Sequence, residues 1–104
     1  MERGEVWWAE FPPPTGRRPV VLLSRNHAID VRPEVTVAKV TRTVRHIPVE
    51  VALEQADGMP EDCVVNVDSI TTVAKGRLSR RITLLSEEKM VAVGNAIVYA
   101  LDLD

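Results

Sequence analysis

The alternation of hydrophobic and polar positions in this 104-residue chain predicts short strands followed by one terminal helix. The strand segments are rich in β-branched, aromatic and other apolar residues and are bounded by turn formers. Strands are predicted at 6–11, 19–23, 35–41, 49–53, 63–73 and 80–84. The second half of the 63–73 segment either continues the strand or bends it. Loops are predicted at 12–16, 24–33 and 54–62, and 75–78 is predicted to be a turn or a short helical segment.

The C-terminal residues predict a helix that packs on the sheet. Ser86 is a good N-cap, and the two glutamates that follow it complement the helix dipole. An apolar stripe recurs at helical spacing in Met90, Val93, Ile97 and Leu101. We therefore expect one domain over residues 1–104 that is mainly β with a C-terminal helix (α+β). A small, strongly bent sheet or barrel is the expected architecture.

The segment from Arg17 to Asn26 places two cations directly before an unbroken apolar run. Pro19 biases Arg18 towards an extended backbone, and the apolar run indicates a strand buried on both faces. Arg18 is thus predicted at the mouth of a core strand. A guanidinium anchored in this way suits phosphate recognition because it is planar, always charged and donates in a fork. A solvated arginine at a strand end is the alternative.

Composition favours a cytoplasmic protein with no membrane segment. Hydrophobic residues make up 45% of the chain, which is enough for a core, and no apolar run approaches the ~20 residues of a membrane helix. No signal peptide is predicted. Cys63 is the only cysteine, which excludes an internal disulfide and fits a reducing compartment.

Charge is distributed unevenly along the chain. The net charge is −2, but residues 15–46 contain seven Lys or Arg and two acidic residues, so this segment carries +5 and the remainder −7. A local positive field on an acidic protein can attract a polyanion. A random fluctuation in surface charge is the alternative explanation.

Few residues are candidates for catalysis. The sequence contains no glycine-rich phosphate loop, no metal-ligand cluster and no nucleophile elbow, so neither a metal nor another cofactor is expected. His27 and His46 are expected to be surface or structural residues. Arg18, Thr41 and Asp68 remain, each predicted at or near a strand end.

Several motifs, in order, resemble the MazF/PemK-type toxins of type II toxin–antitoxin systems. The segments that carry the resemblance are Met1–Trp7, Gly16–Ser24, Val40–Thr41, Asp62–Val73, Lys75–Leu78 and Leu85–Met90. The segment 16–24 matches the most recognisable motif of that family, and Thr41 matches a functional threonine at a strand end. The resemblance covers nearly the whole chain.

The resemblance implies an SH3-like barrel of the CcdB/PemK type that forms a homodimer. It implies an endoribonuclease (an mRNA interferase) that cleaves single-stranded RNA sequence-selectively and without metal, leaving 2′,3′-cyclic phosphate and 5′-hydroxyl ends. The partner would be a cognate antitoxin with an acidic, partly disordered tail. By this resemblance Arg18, Thr41 and Asp68 are catalytic. RNA contacts are expected from Gly16, Arg17, Ser24, Arg25, Asn26, Arg42 and Arg45.

The chain also departs from the family pattern. The loop before Arg17 is short and proline-rich and lacks a histidine found in the PemK branch. Asn66, Thr71 and Ala74 stand where an arginine, an arginine and an aspartate are frequent. These changes leave open the proton donor and the base specificity. Two other functions stay open: a CcdB-like gyrase poison with no nuclease activity, and a non-catalytic RNA-binding barrel.

Overall fold

The computed structural model describes residues 1–103 and shows a curled six-stranded antiparallel sheet with two α-helices. The sheet has the strand order β4-β5-β3-β2-β1-β6. Two single-turn 3₁₀ helices lie at Gln55–Asp57 and Lys75–Arg77. The main elements are β1 (Glu5–Glu10), β2 (Arg17–Leu22), α1 (Asn26–Val31), β3 (Glu34–Thr41), β4 (Glu50–Leu53), β5 (Cys63–Ala74), β6 (Leu78–Leu84) and α2 (Glu87–Leu101). The predicted mainly-β architecture with a C-terminal helix is confirmed.

Strand β2 is buried on both faces, as its apolar run predicts. Val21 and Leu23 belong to one hydrophobic core, whereas Val20 and Leu22 belong to a second core on the opposite face. The strand also has a hydrogen-bonded neighbour on each side, β1 and β3. Arg18 is its second residue and therefore continues the most constrained segment of the fold.

The two cores differ in what covers them. The first lies under α2, where the fully buried Val93 packs with residues of the sheet such as Val40 and Val65. The second is smaller and is built around Ile29 of α1, with the rings of Trp7 and Phe11 packed against it. The sheet is thus the middle layer of a small three-layer domain.

The two tryptophans of β1 point to opposite faces, as predicted from the period of a strand. Trp7 packs against the second core, and its Nε1 donates a hydrogen bond to Glu5 Oε1 at 3.0 Å. Trp8 lines a surface cavity on the other face. One ring therefore packs against a core while the other lies beside a surface cavity.

Strand β5 is one continuous twelve-residue strand with a bulge. Its register against β3 shifts between Ala38 and Lys39, where Ile70 and Asn66 are the respective partners. Three residues of β5 (67–69) are therefore left without a partner on β3. Bulges of this kind bend a strand and redirect side chains.

The prediction of a loop over 24–33 was wrong, because residues Asn26–Val31 form α1. This helix is short, and its N-cap residue, Arg25, provides no side-chain capping hydrogen bond. Only Ala28 and Ile29 are buried, so the segment lacks the apolar period by which helices are recognised. Tertiary packing on the second core stabilises it instead.

Helix α2 begins as predicted but buries a slightly different stripe. The Ser86 hydroxyl accepts a hydrogen bond from the Lys89 N–H at 3.1 Å. Val93 and Ala96 are buried, whereas Leu101 is 56% exposed, so its assignment to the buried stripe was wrong. The helix ends directly after Leu101, where Asp102 is left-handed. No helix within residues 1–103 has the length and apolarity to cross a membrane.

Glu5 is the one buried carboxylate within residues 1–103, and we expect it to make stability depend on acid pH. Burial alone would raise its pKa, but hydrogen bonds from Trp7 Nε1, Arg81 Nε (2.9 Å) and the Glu2 N–H outweigh burial and lower the pKa. Its stabilisation is present above the ordinary glutamate pKa of 4.5 and is lost as pH falls below that value.

The test replaces the carboxylate by an amide. Glu5→Gln should lower the free energy of unfolding at pH 7 by about 1–2 kcal/mol and should flatten the loss of stability below pH ~4.5. Urea unfolding at several pH values measures both effects. Glu2→Gln, at an exposed position, is the control and should leave the curve unchanged. An unaltered acid limb in Glu5→Gln would contradict the assignment.

Candidate functional site

Arg18 and Thr41 lie at the joined ends of two central strands. The register between β2 and β3 pairs Val20 with Lys39 and Leu22 with Val37. Two residues further along, the same register brings Arg18 opposite Thr41. Both residues line the same two surface cavities, which lie on either side of this strand end. The structure therefore brings together two of the three predicted catalytic residues.

The first cavity has a volume of about 380 Å³ and a mixed apolar and charged lining. Three walls contribute: the end of β1 and β2, the end of β3, and the loop that precedes β5. Its lining residues are Trp8, Thr15, Arg17, Arg18, Pro19, Val40, Thr41, Arg42, Met59, Pro60, Glu61 and Cys63. This combination of flat apolar surface with charged groups suits a planar polar ligand.

The second cavity, of about 220 Å³, is strongly cationic. Arg18, Lys39 and Arg45 supply three positive charges, and no acidic residue belongs to its lining. The other lining residues are Thr15, Val40, Thr41, Asn66 and Ser69. A concave surface with clustered cations and neutral hydrogen-bonding groups suits a phosphate.

The Thr41 hydroxyl is oriented by a backbone hydrogen bond. Its oxygen accepts from the Thr43 N–H at 3.2 Å, which leaves its own hydrogen available for a ligand. Arg18 is half-buried and has no ion-pair or side-chain hydrogen-bond partner among residues 1–103. Its donors are therefore available to an anion without the cost of breaking an internal pair.

Arg17 is held on the face of Trp8. Its guanidinium carbon lies 4.5 Å from the centroid of the Trp8 ring, and its Nε lies 3.8 Å from Glu10 Oε1. We expected Arg17 to precede the strand, but it is the first residue of β2 and pairs with Glu10 of β1. The aromatic contact positions the cation at the wall of the first cavity.

Lys39 is a site residue that the sequence analysis missed. It lies in the middle of β3 between two buried residues, and its Nζ lies 4.7 Å from the centroid of the Phe11 ring. A single lysine flanked by Ala38 and Val40 inside a central strand was the available signal. Because such a position is costly for an unpaired cation, the residue indicates a function at that face.

The loop before β5 is firmly attached and gives the first cavity a fixed wall. The Thr83 hydroxyl donates to the Asp57 carbonyl at 3.0 Å, and Lys89 Nζ forms an ion pair with Asp57 Oδ2 at 3.6 Å. Gly58 terminates the 3₁₀ turn of this loop in the left-handed region, at φ +94°. Met59, which follows it, is buried and faces the cavity.

A side chain at Gly58 should loosen this wall. An added Cβ would overlap the Thr83 hydroxyl, and alanine is disfavoured at positive φ by about 1–2 kcal/mol. Gly58→Ala should therefore lower the melting temperature, which a thermal unfolding scan measures. Gly76→Ala is the matched control, because that position has open space around it and no positive φ. Equal stability of the two variants would contradict the strain argument.

The third predicted catalytic residue, Asp68, does not join the other two in the cavity linings. It is exposed within the bulge of β5, and its side chain lines neither cavity. Its neighbours Asn66 and Ser69 do line the second cavity. The Asp68 N–H donates to Asn66 Oδ1 at 2.9 Å, which orders the bulge.

The predicted RNA-contact residues fall into two groups. Arg17, Arg42 and Arg45 line the cavities. Gly16 lies in the turn directly before Arg17, at φ +65°. Ser24, Arg25 and Asn26 lie beyond the opposite end of β2, roughly 20 Å away at ~3.3 Å per residue. The structure does not bring these three residues to the cavities.

Hydrogen bonds within the chain already use two of those distant side chains. Ser24 Oγ accepts from the Thr36 N–H at 2.9 Å, and Asn26 Oδ1 accepts from the Arg3 N–H at 2.6 Å. Both are structural contacts that fix the segment between β2 and α1.

The remaining polar candidates form no recognisable catalytic constellation. Burial, together with the nearby carboxylates of Glu61, Asp62 and Asp57, raises the pKa of the Cys63 thiol to about 11, so the thiol stays protonated at neutral pH. His27 and His46 are exposed. Residues 1–103 contain no cluster of three or more His, Cys, Asp or Glu side chains that could hold a metal ion.

Comparison with known proteins places this chain in a family. A family model described as "PemK-like, MazF-like toxin of type II toxin-antitoxin system" matches residues 2–101. The Mycobacterium tuberculosis protein "Probable endoribonuclease MazF5" is 42% identical over 101 residues, covering 96% of this chain and 92% of that protein. "Endoribonuclease MazF" of Staphylococcus saprophyticus is 34% identical over 111 residues, with 99% and 92% coverage.

Solved structures agree with the sequence comparisons. "Mycobacterium tuberculosis toxin MazF-mt6" superposes with a TM-score of 0.88 at 32% identity, covering 96% of this chain and 98% of that chain. A mycobacterial "Endoribonuclease in complex with its cognate antitoxin" gives a TM-score of 0.89 at 27% identity, with 100% and 97% coverage. The resemblance seen in the motifs is confirmed, and the chain belongs to the PemK-like, MazF-like toxins of type II toxin–antitoxin systems.

Proposed function

We propose that this chain is an endoribonuclease toxin that cleaves single-stranded RNA without a metal ion. The observation that carries the proposal is the position of Arg18 and Thr41 at the junction of a cationic cavity and a partly apolar cavity. A phosphate bound at the junction would contact both side chains, while neighbouring parts of the RNA would occupy the two cavities. The endoribonuclease names of the matched relatives support the same reaction class.

In the proposed reaction the 2′-hydroxyl oxygen of one nucleotide attacks the adjacent phosphorus. The new bond closes a 2′,3′-cyclic phosphate, the bond from phosphorus to the 5′-oxygen breaks, and that oxygen leaves as a 5′-hydroxyl after taking up a proton. Negative charge develops on the non-bridging oxygens in the transition state. Arg18 stabilises this charge with preorganised donors, and the free O–H of Thr41 donates to the same phosphate.

Asp68 is the proposed acceptor of the 2′-hydroxyl proton. Its place in the β5 bulge, between two residues of the second cavity, supports a position near the bound RNA. Arginine itself is a poor base because it stays protonated. The group that protonates the 5′-oxygen is not assigned to a residue.

The cationic second cavity is proposed to bind the RNA backbone beside the scissile phosphate. Lys39 and Arg45 lie there in addition to Arg18, so one flanking phosphate can be neutralised while Arg18 acts on the next. Phosphate contacts of this kind position a strand and carry no sequence information. Lys39 joins Arg17, Arg42 and Arg45 as a proposed RNA contact.

We propose a homodimer and an acidic, partly disordered antitoxin as the protein partners. Several large apolar side chains remain exposed in the monomer, as expected of a chain that associates. They include Val44, Ile47, Val91, Val98, Tyr99 and Leu101. One structural neighbour, a mycobacterial endoribonuclease, was solved in complex with its cognate antitoxin. Sedimentation that shows only monomers at micromolar concentration would contradict the dimer.

The decisive experiment incubates the purified protein with single-stranded RNA in EDTA and maps the ends produced. We expect cleavage that persists in EDTA, cyclic phosphate on the upstream product and 5′-hydroxyl on the downstream product. Loss of all cleavage in EDTA would contradict the metal-free reaction. Intact RNA under every condition would contradict the nuclease assignment and favour a binding or gyrase-directed function.

Arg17 should affect RNA binding more than the chemical step. It lies on Trp8 at the wall of the first cavity, one residue before Arg18. Arg17→Ala should weaken binding severalfold and reduce the slope of log K against log salt by about 0.7, the value for one phosphate contact on a single strand. Binding titrations at several salt concentrations measure this. An unchanged slope would show that Arg17 contacts no phosphate.

A further inference from the structure

The first cavity contains chemistry that phosphate binding does not explain. Its lining combines an aromatic ring, two prolines, a buried methionine and a carboxylate beside an arginine. A carboxylate repels phosphate, so Glu61 is unsuited to a general RNA-backbone site. The same side chain is well suited to accept N–H donors of a nucleobase.

The apolar part of the cavity forms surfaces for a flat ring. Trp8 and Pro19 are cross-strand partners on β1 and β2, and Met59 and Pro60 form part of the facing wall. Stacking on aromatic side chains is the usual way in which unpaired RNA bases are held. Arg17 already occupies part of this surface through its contact with Trp8, and its guanidinium plane adds a second stacking platform.

Glu61 and Arg42 form a solvent-exposed ion pair at the cavity wall. Arg42 Nη1 and Glu61 Oε1 are 3.6 Å apart, longer than an ordinary hydrogen bond. Neither side chain makes a side-chain hydrogen bond elsewhere within residues 1–103. The pair therefore presents an acceptor next to a donor at the cavity wall, with both groups available to a ligand.

Among the four bases, guanine can form the most hydrogen bonds with this pair through its Watson–Crick edge. Its N1–H and N2–H donors lie side by side and can engage both oxygens of one carboxylate, while its O6 accepts from a neighbouring cation. Adenine lacks the ring N–H, and cytosine and uracil each offer one donor position on that edge. We propose that the first cavity binds a guanine base adjacent to the scissile phosphate, recognised by Glu61 with Arg42 and stacked against the surface that Arg17 and Trp8 form together.

This inference rests on the proposed function and makes Glu61 a specificity-determining residue. Because the cavity shares Arg18 and Thr41 with the cationic cavity, the recognised base lies within about two nucleotides of the cut. Removing the carboxylate should change which RNA sequences are cleaved, while Arg18 and Thr41 still contact the scissile phosphate.

The first test maps cleavage ends on a random-sequence RNA library. Wild-type protein should show guanine enriched at one fixed position relative to the cut. Glu61→Gln should reduce that enrichment about tenfold or more, the scale of one bidentate base contact. Asp62→Asn is the matched control, since it removes the adjacent exposed carboxylate, which does not line the cavity. Enrichment of another base, or an unchanged profile in Glu61→Gln, would overturn the proposal.

The second test measures binding without cleavage. Labelled 2′-O-methyl pentanucleotides of uridine, each with one guanine, adenine, cytosine or uridine at the centre, lack the attacking hydroxyl. Fluorescence anisotropy should show the tightest binding for the guanine oligonucleotide, and Glu61→Gln should remove the preference. Guanine-selective binding with no cleavage of ordinary RNA would contradict the proposed nuclease function and support the proposed guanine site. Cleavage without base-selective binding would support the nuclease function and contradict the guanine site.

Discussion

Arg18→Ala is expected to slow single-turnover cleavage of a short RNA by about 10²–10³, the scale of losing one preorganised oxyanion donor. The side chain is half-buried at the end of a strand that is buried on both faces, and it has no internal partner among residues 1–103. Its donors are thus unused by the chain, so they can stabilise the developing charge without breaking an internal pair. Arg18→Lys should recover little, because an ammonium cannot reproduce the planar fork.

Two controls make the Arg18 result interpretable. Arg32→Ala removes an exposed arginine that pairs with Glu34 away from the cavities, so it matches the charge change and should cleave at the wild-type rate. Circular dichroism and thermal unfolding should show that Arg18→Ala is folded. If folded Arg18→Ala cuts as fast as the wild type, the catalytic assignment fails. If Arg17→Ala loses the chemical step while Arg18→Ala keeps it, the two roles are reversed.

Thr41→Ala is expected to slow the chemical step by about 10², because it removes the second donor to the phosphate. The hydroxyl oxygen already accepts from the Thr43 N–H, so the direction of its own hydrogen is constrained. Thr41→Val keeps the shape of the side chain without the hydroxyl and should be equally slow. Thr41→Ser restores the donor and should recover most of the rate.

The Thr41 series separates catalysis from stability. All three variants should melt close to the wild-type temperature, since Thr41 is only partly buried and its one internal hydrogen bond lies at the surface. Single-turnover rates with saturating protein exclude differences in RNA binding. A valine variant that cleaves like the serine variant would remove the hydroxyl from the mechanism.

Local patterns predicted the parts of the fold that depend on neighbouring residues. The apolar run after Arg18 correctly indicated a strand buried on both faces, and Ser86 with the glutamates after it correctly marked the start of α2. Helix α1 escaped detection because two buried residues in six cannot establish a helical period. Its existence depends on packing against distant strands.

The site was predictable only in part, for the same reason. Arg18 and Thr41 were each recognised at a strand end, but their pairing depends on the register of β2 against β3. The first cavity also needs the loop before β5, which Thr83 and Lys89 fasten at Asp57 from elements 26 or more residues away in sequence. No pattern within one segment reports such a contact, and the Glu61–Arg42 pair therefore emerged only from the structure.

The interior position of β2 has a consequence for how the protein exchanges its amide hydrogens. Strands β4 and β6 end the sheet and can open locally, whereas Val20, Val21 and Leu22 are covered on every side. Their amides should exchange only when the whole domain unfolds. Arg18 is thus attached to the most slowly exchanging segment. It should keep its position in both cavities when the edge strands open. The site is therefore expected to stay assembled while the sheet edges open and close, so RNA cleavage should not have to wait for local refolding.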